Sequence, residues 1–262
     1  MSGLPVARAP ATPENPAFLR KRLPPVRHSW YRTSINLPQT NFPEEVSLKV
    51  SLLRRSWVTF SIWVLGTYAS GINRFTVQGA QFIPSSGGVM IASNHISAYD
   101  TIFLPWAVLR HNPLQMLWAP AKEELFANRL GALLYRSWGA FPVRRGRDIR
   151  AGKHLNDLLL DQKVMLFPEG TRHKDGVLGK GNRGVGKIIY DIRPAVVPTA
   201  LTGVNHWTFP SFGARGGVTF GAPLNFDDLY ALPDCKETHQ LIVDRVMEAI
   251  ATMLPGQGGA PA

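Results

Sequence analysis

From Asn73 onward, apolar runs of three to seven residues alternate with stretches of helical length, and no other feature constrains the fold as strongly. The runs are Phe75–Val77, Val89–Ala92, Met116–Pro120, Ala140–Val143, Val164–Phe167, Ala195–Leu201 and Val218–Phe220. Runs this short, bounded by Gly, Pro, Asn or Ser, read as buried strands. Helical patterns fall at Tyr99–Leu109, Ala127–Ser137, Asp148–Leu160, Val185–Ile192 and Lys236–Met253. Strands separated by helices predict an α/β fold, a single mixed sheet flanked by helices. No internal repeat is visible and no second hydrophobic body follows Gly221. One domain over residues 73–254 is therefore expected, with 255–262 as a flexible tail.

The first 72 residues have a different character. Residues 1–43 are proline-rich and lack periodicity, which reads as a basic, poorly ordered arm without the apolar stretch of a secretory signal. Over 44–72 the pattern becomes helical, with Val46, Val50, Leu53 and Val58 close to one stripe. No charge falls between Ser56 and Asn73, a length near the ~20 apolar residues that cross a bilayer. Yet Thr59, Ser61, Gly66, Thr67, Ser70 and Gly71 interrupt it, and Arg54, Arg55, Trp57, Trp63 and Tyr68 suit an interface. The expectation is an N-terminal helical membrane-anchoring appendage, monotopic, on the cytoplasmic face. A single span and a helix buried on the protein's own core are the competing readings.

Charge narrows the partners. A net charge of +11 and nine Lys/Arg against three Glu in residues 1–55 imply an anionic partner. With ordinary aromatic content and no nucleic-acid fingerprint, an anionic membrane surface is favoured over nucleic acid. The single cysteine, Cys235, excludes an internal disulfide framework and fits a reducing compartment. Seven scattered histidines without a His-x-x-x-His pair give no metal centre.

Two polar clusters follow directly on predicted strands. Ser93-Asn94-His95-Ile96-Ser97-Ala98-Tyr99-Asp100 comes straight after Val89–Ala92, at the strand end where open α/β sheets place their chemistry. On one ideal helix His95 and Asp100 would be about 140° apart. They can meet if His95 lies in the loop and Asp100 in the first helical turn, which Ser97-Ala98-Tyr99-Asp100 favours as a capping box. The plain alternative is that Ser97 and Asp100 only cap the helix. Phe167-Pro168-Glu169-Gly170-Thr171-Arg172 follows Val164-Met165-Leu166 in the same way. Pro168 stops the strand, Gly170 permits a tight turn, and the planar fork of Arg172 suits a phosphate. A solvated Glu–Arg loop is the alternative here. Arg144 and Arg145 end a third strand, and Pro198 inside a fourth suggests a cleft wall or an edge.

Together these blocks resemble the glycerolipid acyltransferase family typified by 1-acylglycerol-3-phosphate acyltransferase. Asn94, His95, Ser97 and Asp100 match Asn-His-x-Ser-x-x-Asp; Phe141–Arg144 match an apolar strand ending in arginine. Phe167–Arg172 match Phe-Pro-Glu-Gly-Thr-Arg at every position, and Val197-Pro198 match the fourth block. The resemblance covers roughly 75–220, in family order. It departs at Gly179-Lys180-Gly181, where the family often carries Phe-Lys-x-Gly.

The resemblance implies transfer of an acyl chain from acyl-CoA or acyl carrier protein, as co-substrate and with no cofactor, to a lysophospholipid hydroxyl. His95 would be the general base, with an imidazole pKa near the working pH, and Asp100 would orient it. Arg144, Glu169, Gly170, Thr171, Arg172 and Lys180 would bind substrate; Asn94, Ser97 and Pro198 would support the site. Backbone amides near Gly170 are the expected oxyanion donors. Ser97 and Cys235 are rival nucleophiles for an acyl-enzyme route. The acceptor is left open among 1-acylglycerol 3-phosphate, glycerol 3-phosphate, a lyso-ornithine lipid or another lysolipid. A non-catalytic, basic membrane-surface binding protein is the reading from a different class.

Overall fold

A computed structural model describes residues 50–144 and 149–255. The chain divides into two units, Met1–Val46 and Ser47–Ala262. The first unit, with the whole of the expected basic arm, lies outside the described residues, as do Ser47–Lys49 of the expected helical segment, Arg145–Asp148 and the tail from residue 256.

The expected strands and helices form at nearly the expected places. The strands are β1 (Arg74–Gln78), β2 (Val89–Ser93), β3 (Leu117–Lys122), β4 (Ala140–Val143), β5 (Lys163–Leu166), β6 (Ala195–Thr202) and β7 (Arg215–Phe220). The α-helices are α1 (Leu52–Gly66), α2 (Asp100–Leu109), α3 (Arg129–Ser137), α4 (Ile149–Leu159), α5 (Arg183–Ile192), α6 (Asp227–Tyr230) and α7 (Lys236–Met253). The seven strands make one sheet in the order β1-β7-β6-β2-β5-β3-β4. All neighbours run parallel except β6 and β7, so the sheet is mixed as expected. Every residue of β2 and β5 is buried, which accounts for their unbroken apolar runs: parallel strands covered on both faces show no alternation.

Pro198 corrects one expectation. Its strand, β6, is not an edge but lies between β7 and β2. The Pro198 carbonyl accepts from Gly221 on the β7 side, so its missing N–H also falls on that side. There the β7 ladder starts only at Thr199↔Phe220, and no ladder bond is lost.

The helix before the sheet corrects another. Leu53 and Val58 do not share a stripe: Leu53 is 82% exposed and Val58 is 2% exposed, as five residues of helix require. Val58 and Ile62 join the core, whereas Leu53, Trp57, Phe60 and Val64 form an outward apolar row. The element also starts at Leu52 and has 15 α-helical residues before a π-helical turn at Thr67–Ile72. No described helix is long and apolar enough to cross a membrane.

The order β6-β2-β5 brings the C-terminal ends of these strands side by side. Beyond Leu117 and Trp118, β3 no longer pairs with β5, so the sheet opens at that same edge. β4 lies three strand spacings from β2, about 14 Å away.

Candidate active site

The loop leaving β2 folds back so that Asp100, the first residue of α2, meets His95. Asp100 Oδ2 accepts the His95 Nδ1 proton at 2.8 Å and the backbone N–H groups of Ile96 and Ser97 at 2.6 and 2.7 Å. With two backbone donors on this oxygen, Asp100 is the acceptor and Nδ1 the donor, which leaves Nε2 of His95 outside this contact. Asp100 is fully enclosed, and the His95 side chain is 14% exposed, so the pair meets solvent only through the imidazole. The other carboxylate oxygen, Oδ1, is buried without a partner among the described residues, which concentrates the hydrogen bonding on the histidine side.

The capping expectation holds by half. Asp100 reaches back to the Ser97 N–H, as the acid of a capping box does. Ser97 is not the N-cap, however: its hydroxyl accepts from the Tyr99 N–H at 3.3 Å, and Tyr99 occupies the cap position without a side-chain bond. Asn94 ties the end of β2 to β6, accepting from Leu201 N–H at 2.7 Å and donating to Leu201 C=O at 3.0 Å.

The loop after β5 supports the histidine from a second side. Phe167 stacks on the imidazole, with ring centroids 4.0 Å apart and planes within 14°. Buried Glu169 accepts the His95 N–H on Oε1 and the Gly179 N–H on Oε2, both at 2.8 Å. His173 donates its backbone N–H to the His95 carbonyl at 2.8 Å. Glu169 therefore braces two loops rather than offering a free carboxylate to substrate. Gly179 fits against it because any Cβ would lie 2.5 Å from His173 Nε2 and 2.9 Å from Glu169 Oε2. Gly170 adopts φ +68°, the left-handed turn that its residue type allows, and donates its N–H to Phe167 C=O at 2.9 Å. That amide is consumed by the turn, so it is not itself an oxyanion donor.

The cations divide. Arg172 and Lys180 are exposed, and neither has a hydrogen bond or ion pair among the described residues. Thr171 is likewise exposed, its hydroxyl 3.4 Å from His173 Nε2. Arg144 is instead held bidentate by Glu123, at 2.8 and 3.0 Å, on the distant β4 edge. Arg145 lies outside the described residues. Cys235 sits at the start of α7 against Thr238, away from these loops. Reasoning from sequence missed the Phe167 stack, the brace through Gly179 and the Glu123 partner of Arg144. Only the first had a signal, an aromatic directly after the strand.

An imidazole held by a carboxylate at a strand end is an arrangement that can accept a proton from a hydroxyl. Comparison with known proteins gives the following matches. A family model described as Acyltransferase matches residues 74–202. A 1-acyl-sn-glycerol-3-phosphate acyltransferase of Streptococcus pneumoniae is 27% identical over 148 residues, covering 55% of this chain and 53% of that protein. One of Cocos nucifera is 25% identical over 175 residues, covering 64% and 53%. One of Pseudomonas aeruginosa is 29% identical over 158 residues, covering 58% of each. The chain thus spans about half the length of the curated relatives it matches. Among solved structures, the 1-acyl-sn-glycerophosphate acyltransferase of Thermotoga maritima shares the fold, with a TM-score of 0.57 at 21% identity over 76% of this chain and 80% of that one.

Proposed function

We propose, from the match of residues 74–202 to the acyltransferase family model, that this chain moves an acyl group from a thioester to the hydroxyl of a lysophospholipid. The donor is acyl-CoA or acyl carrier protein, and the first acceptor to test is 1-acylglycerol 3-phosphate, which would become phosphatidate. The single observation that carries the reading is the 2.8 Å contact between His95 Nδ1 and enclosed Asp100.

The chemistry follows from that contact. His95 Nε2 takes the proton of the acceptor hydroxyl as its oxygen attacks the thioester carbonyl. The C–S bond then breaks, and the thiolate leaves and takes up the proton. Asp100 fixes the ring and stabilises the imidazolium through the charge-assisted bond at Nδ1. General-base help of this kind contributes about 10²–10⁴-fold. Phe167 holds the ring plane, and Glu169 with Asn94 holds the loop that carries it. Arg172, with its guanidinium unengaged, is the better phosphate clamp; Arg144 would first have to release Glu123. No protein nucleophile is needed, and the Ser97 hydroxyl is occupied as an acceptor in its turn.

The substrate's chemistry also accounts for the apolar surface. Leu53, Trp57, Phe60 and Val64 on α1 face outward, as do Leu130, Leu133 and Leu134 on α3. The two helices are joined where Arg54 Nε and Trp57 Nε1 donate to Ser137, at 3.1 and 3.0 Å. We read this face as a monotopic contact with an anionic membrane surface, from which a lysolipid would enter.

The test is thiol release from oleoyl-CoA in the presence of oleoyl-lysophosphatidate, comparing wild type with His95→Ala. Release that requires both the lysolipid and His95 is the expected result. Release only with glycerol 3-phosphate or a lyso-ornithine lipid would change the acceptor. Silence with every acceptor and carrier would favour a membrane-surface binding protein.

A further inference from the structure

The sheet edge opposite His95 holds a second cationic cluster that the transfer reaction does not use. Lys163 opens β5 and is only 3% exposed. Its ammonium has one hydrogen bond among the described residues, to the Ser85 carbonyl at 3.2 Å, which leaves two donors unmatched. That carbonyl does not need it, because Gln115 Nε2 already donates there at 3.0 Å. No described carboxylate forms an ion pair with Lys163, and burial pushes its pKa down. A buried ammonium with one neutral acceptor is poorly compensated.

Beside it opens a cleft of about 210 Å³, lined by Arg55, Ser86, Gly87, Gln115, Asp161 and Lys163 among others. Arg55 comes from α1, and its Nε and Nη1 donate to the carbonyls of Val50 and Leu114, both at 3.2 Å. Those bonds hold the guanidinium in place at the cleft wall. Asp161 is exposed and offsets only one of the two cations. Gly87 turns at φ +86° with open space beyond its Cα.

We propose that this cleft binds a phosphate group, either as inorganic phosphate or as the phosphomonoester headgroup of a lipid. A fork and a point cation on one cleft match tetrahedral, multiply charged oxygens. The site is separate from Arg172. The four residues of β5 put about 13 Å between the two sheet edges, so one phosphomonoester cannot serve both. Arg55 lies on the helix whose other face is apolar, which would bring a lipid headgroup within reach.

The experiment measures binding, so it stands whether or not the transfer reaction is as described. Full-length protein is titrated with inorganic phosphate at constant ionic strength and followed by ³¹P NMR and by Tm. It is also floated with phosphatidylcholine vesicles containing either phosphatidate or an equal charge of phosphatidylglycerol. Wild type, Lys163→Met, Arg55→Gln and Arg172→Ala are compared. Saturable phosphate binding that weakens at least tenfold in Lys163→Met and Arg55→Gln, but persists in Arg172→Ala, supports a soluble phosphate ligand. At tenfold excess over Kd it should raise Tm by about 3–5 °C. A preference for phosphatidate vesicles that Lys163→Met removes supports the headgroup. If Lys163→Met fails to fold, Arg55→Gln carries the same comparison. Equal behaviour of wild type and both cleft variants with both probes overturns the proposal.

Discussion

Replacing Glu169 by Gln separates the two roles its position allows, bracing the loops or touching the acceptor. Both carboxylate oxygens are engaged, one by the His95 N–H and one by the Gly179 N–H, each at 2.8 Å. Gln keeps a single acceptor oxygen, so one of these two backbone donors must face an NH₂ group. An unsatisfied buried N–H costs about 1–3 kcal/mol, and the surviving bond loses its charge assistance. We expect a net loss of about 2 kcal/mol, which for a domain of this size lowers Tm by about 4–8 °C. If the freed donor is that of His95, the imidazole shifts, and a displacement near 1 Å costs about 10² in rate. Thermal unfolding and steady-state kinetics with a varied lysolipid read the two effects separately. The expected variant is less stable, with reduced kcat and a KM close to wild type. An unchanged Tm with the whole loss in KM would refute the brace and put Glu169 on the acceptor.

Three further outcomes follow from the same geometry. Phe167→Leu removes the ring that stacks on His95 but keeps most of the volume; kcat should fall about 3–10-fold, given ~0.5–1.5 kcal/mol for such a contact, and an unchanged pH–rate profile and kcat would deny the stack any catalytic part. Leu130→Ser with Leu133→Ser should weaken flotation with anionic vesicles while leaving Tm within about 1 °C, because both leucines already face solvent; undiminished flotation would remove α3 from the contact surface. For Lys163 the sign of the pH effect is fixed by its lowered pKa. The folded state disfavours the charged form, so this group's stability penalty is present below the folded pKa and is relieved as pH rises toward the unfolded value of 10.5. The Tm advantage of Lys163→Met over wild type, measured without phosphate, should accordingly shrink across that alkaline window, and a constant difference would contradict it.

The strands were readable because parallel strands buried on both faces must be continuously apolar, as Val89–Ala92 and Val164–Leu166 are. The position of His95 and Asp100 followed from that, since a loop residue and a first-turn residue can converge. Other features depend on partners remote in sequence. Pro198 read as a cleft wall or an edge, and the edge reading failed because a sequence does not show on which side a missing N–H will fall. Leu53 and Val58 looked like one stripe because both are apolar, although the helical angle separates them. Arg144 read as a ligand for phosphate because Glu123, 21 residues earlier, gives no local sign of reaching it. Glu169 read as a substrate ligand for the same reason: its partners are His95, from the loop after β2, and Gly179, ten residues further along its own loop.

The contact of α1 with α2 has a consequence for where chemistry happens. Gly66 of α1 sits so close to Trp106 of α2 that an added Cβ would lie 1.9 Å from the indole nitrogen. A contact this close opposes sliding of one helix along the other. Trp106 is six residues from Asp100, about 9 Å along the axis of α2. Gly66 is likewise six residues, about 9 Å, beyond Phe60 in the outward row of α1. On the proposed function the two helices would act as a depth gauge. With α1 resting on a membrane, the His95 imidazole would stand at a set height from it, and an acceptor would be selected by how far its hydroxyl can rise to that height.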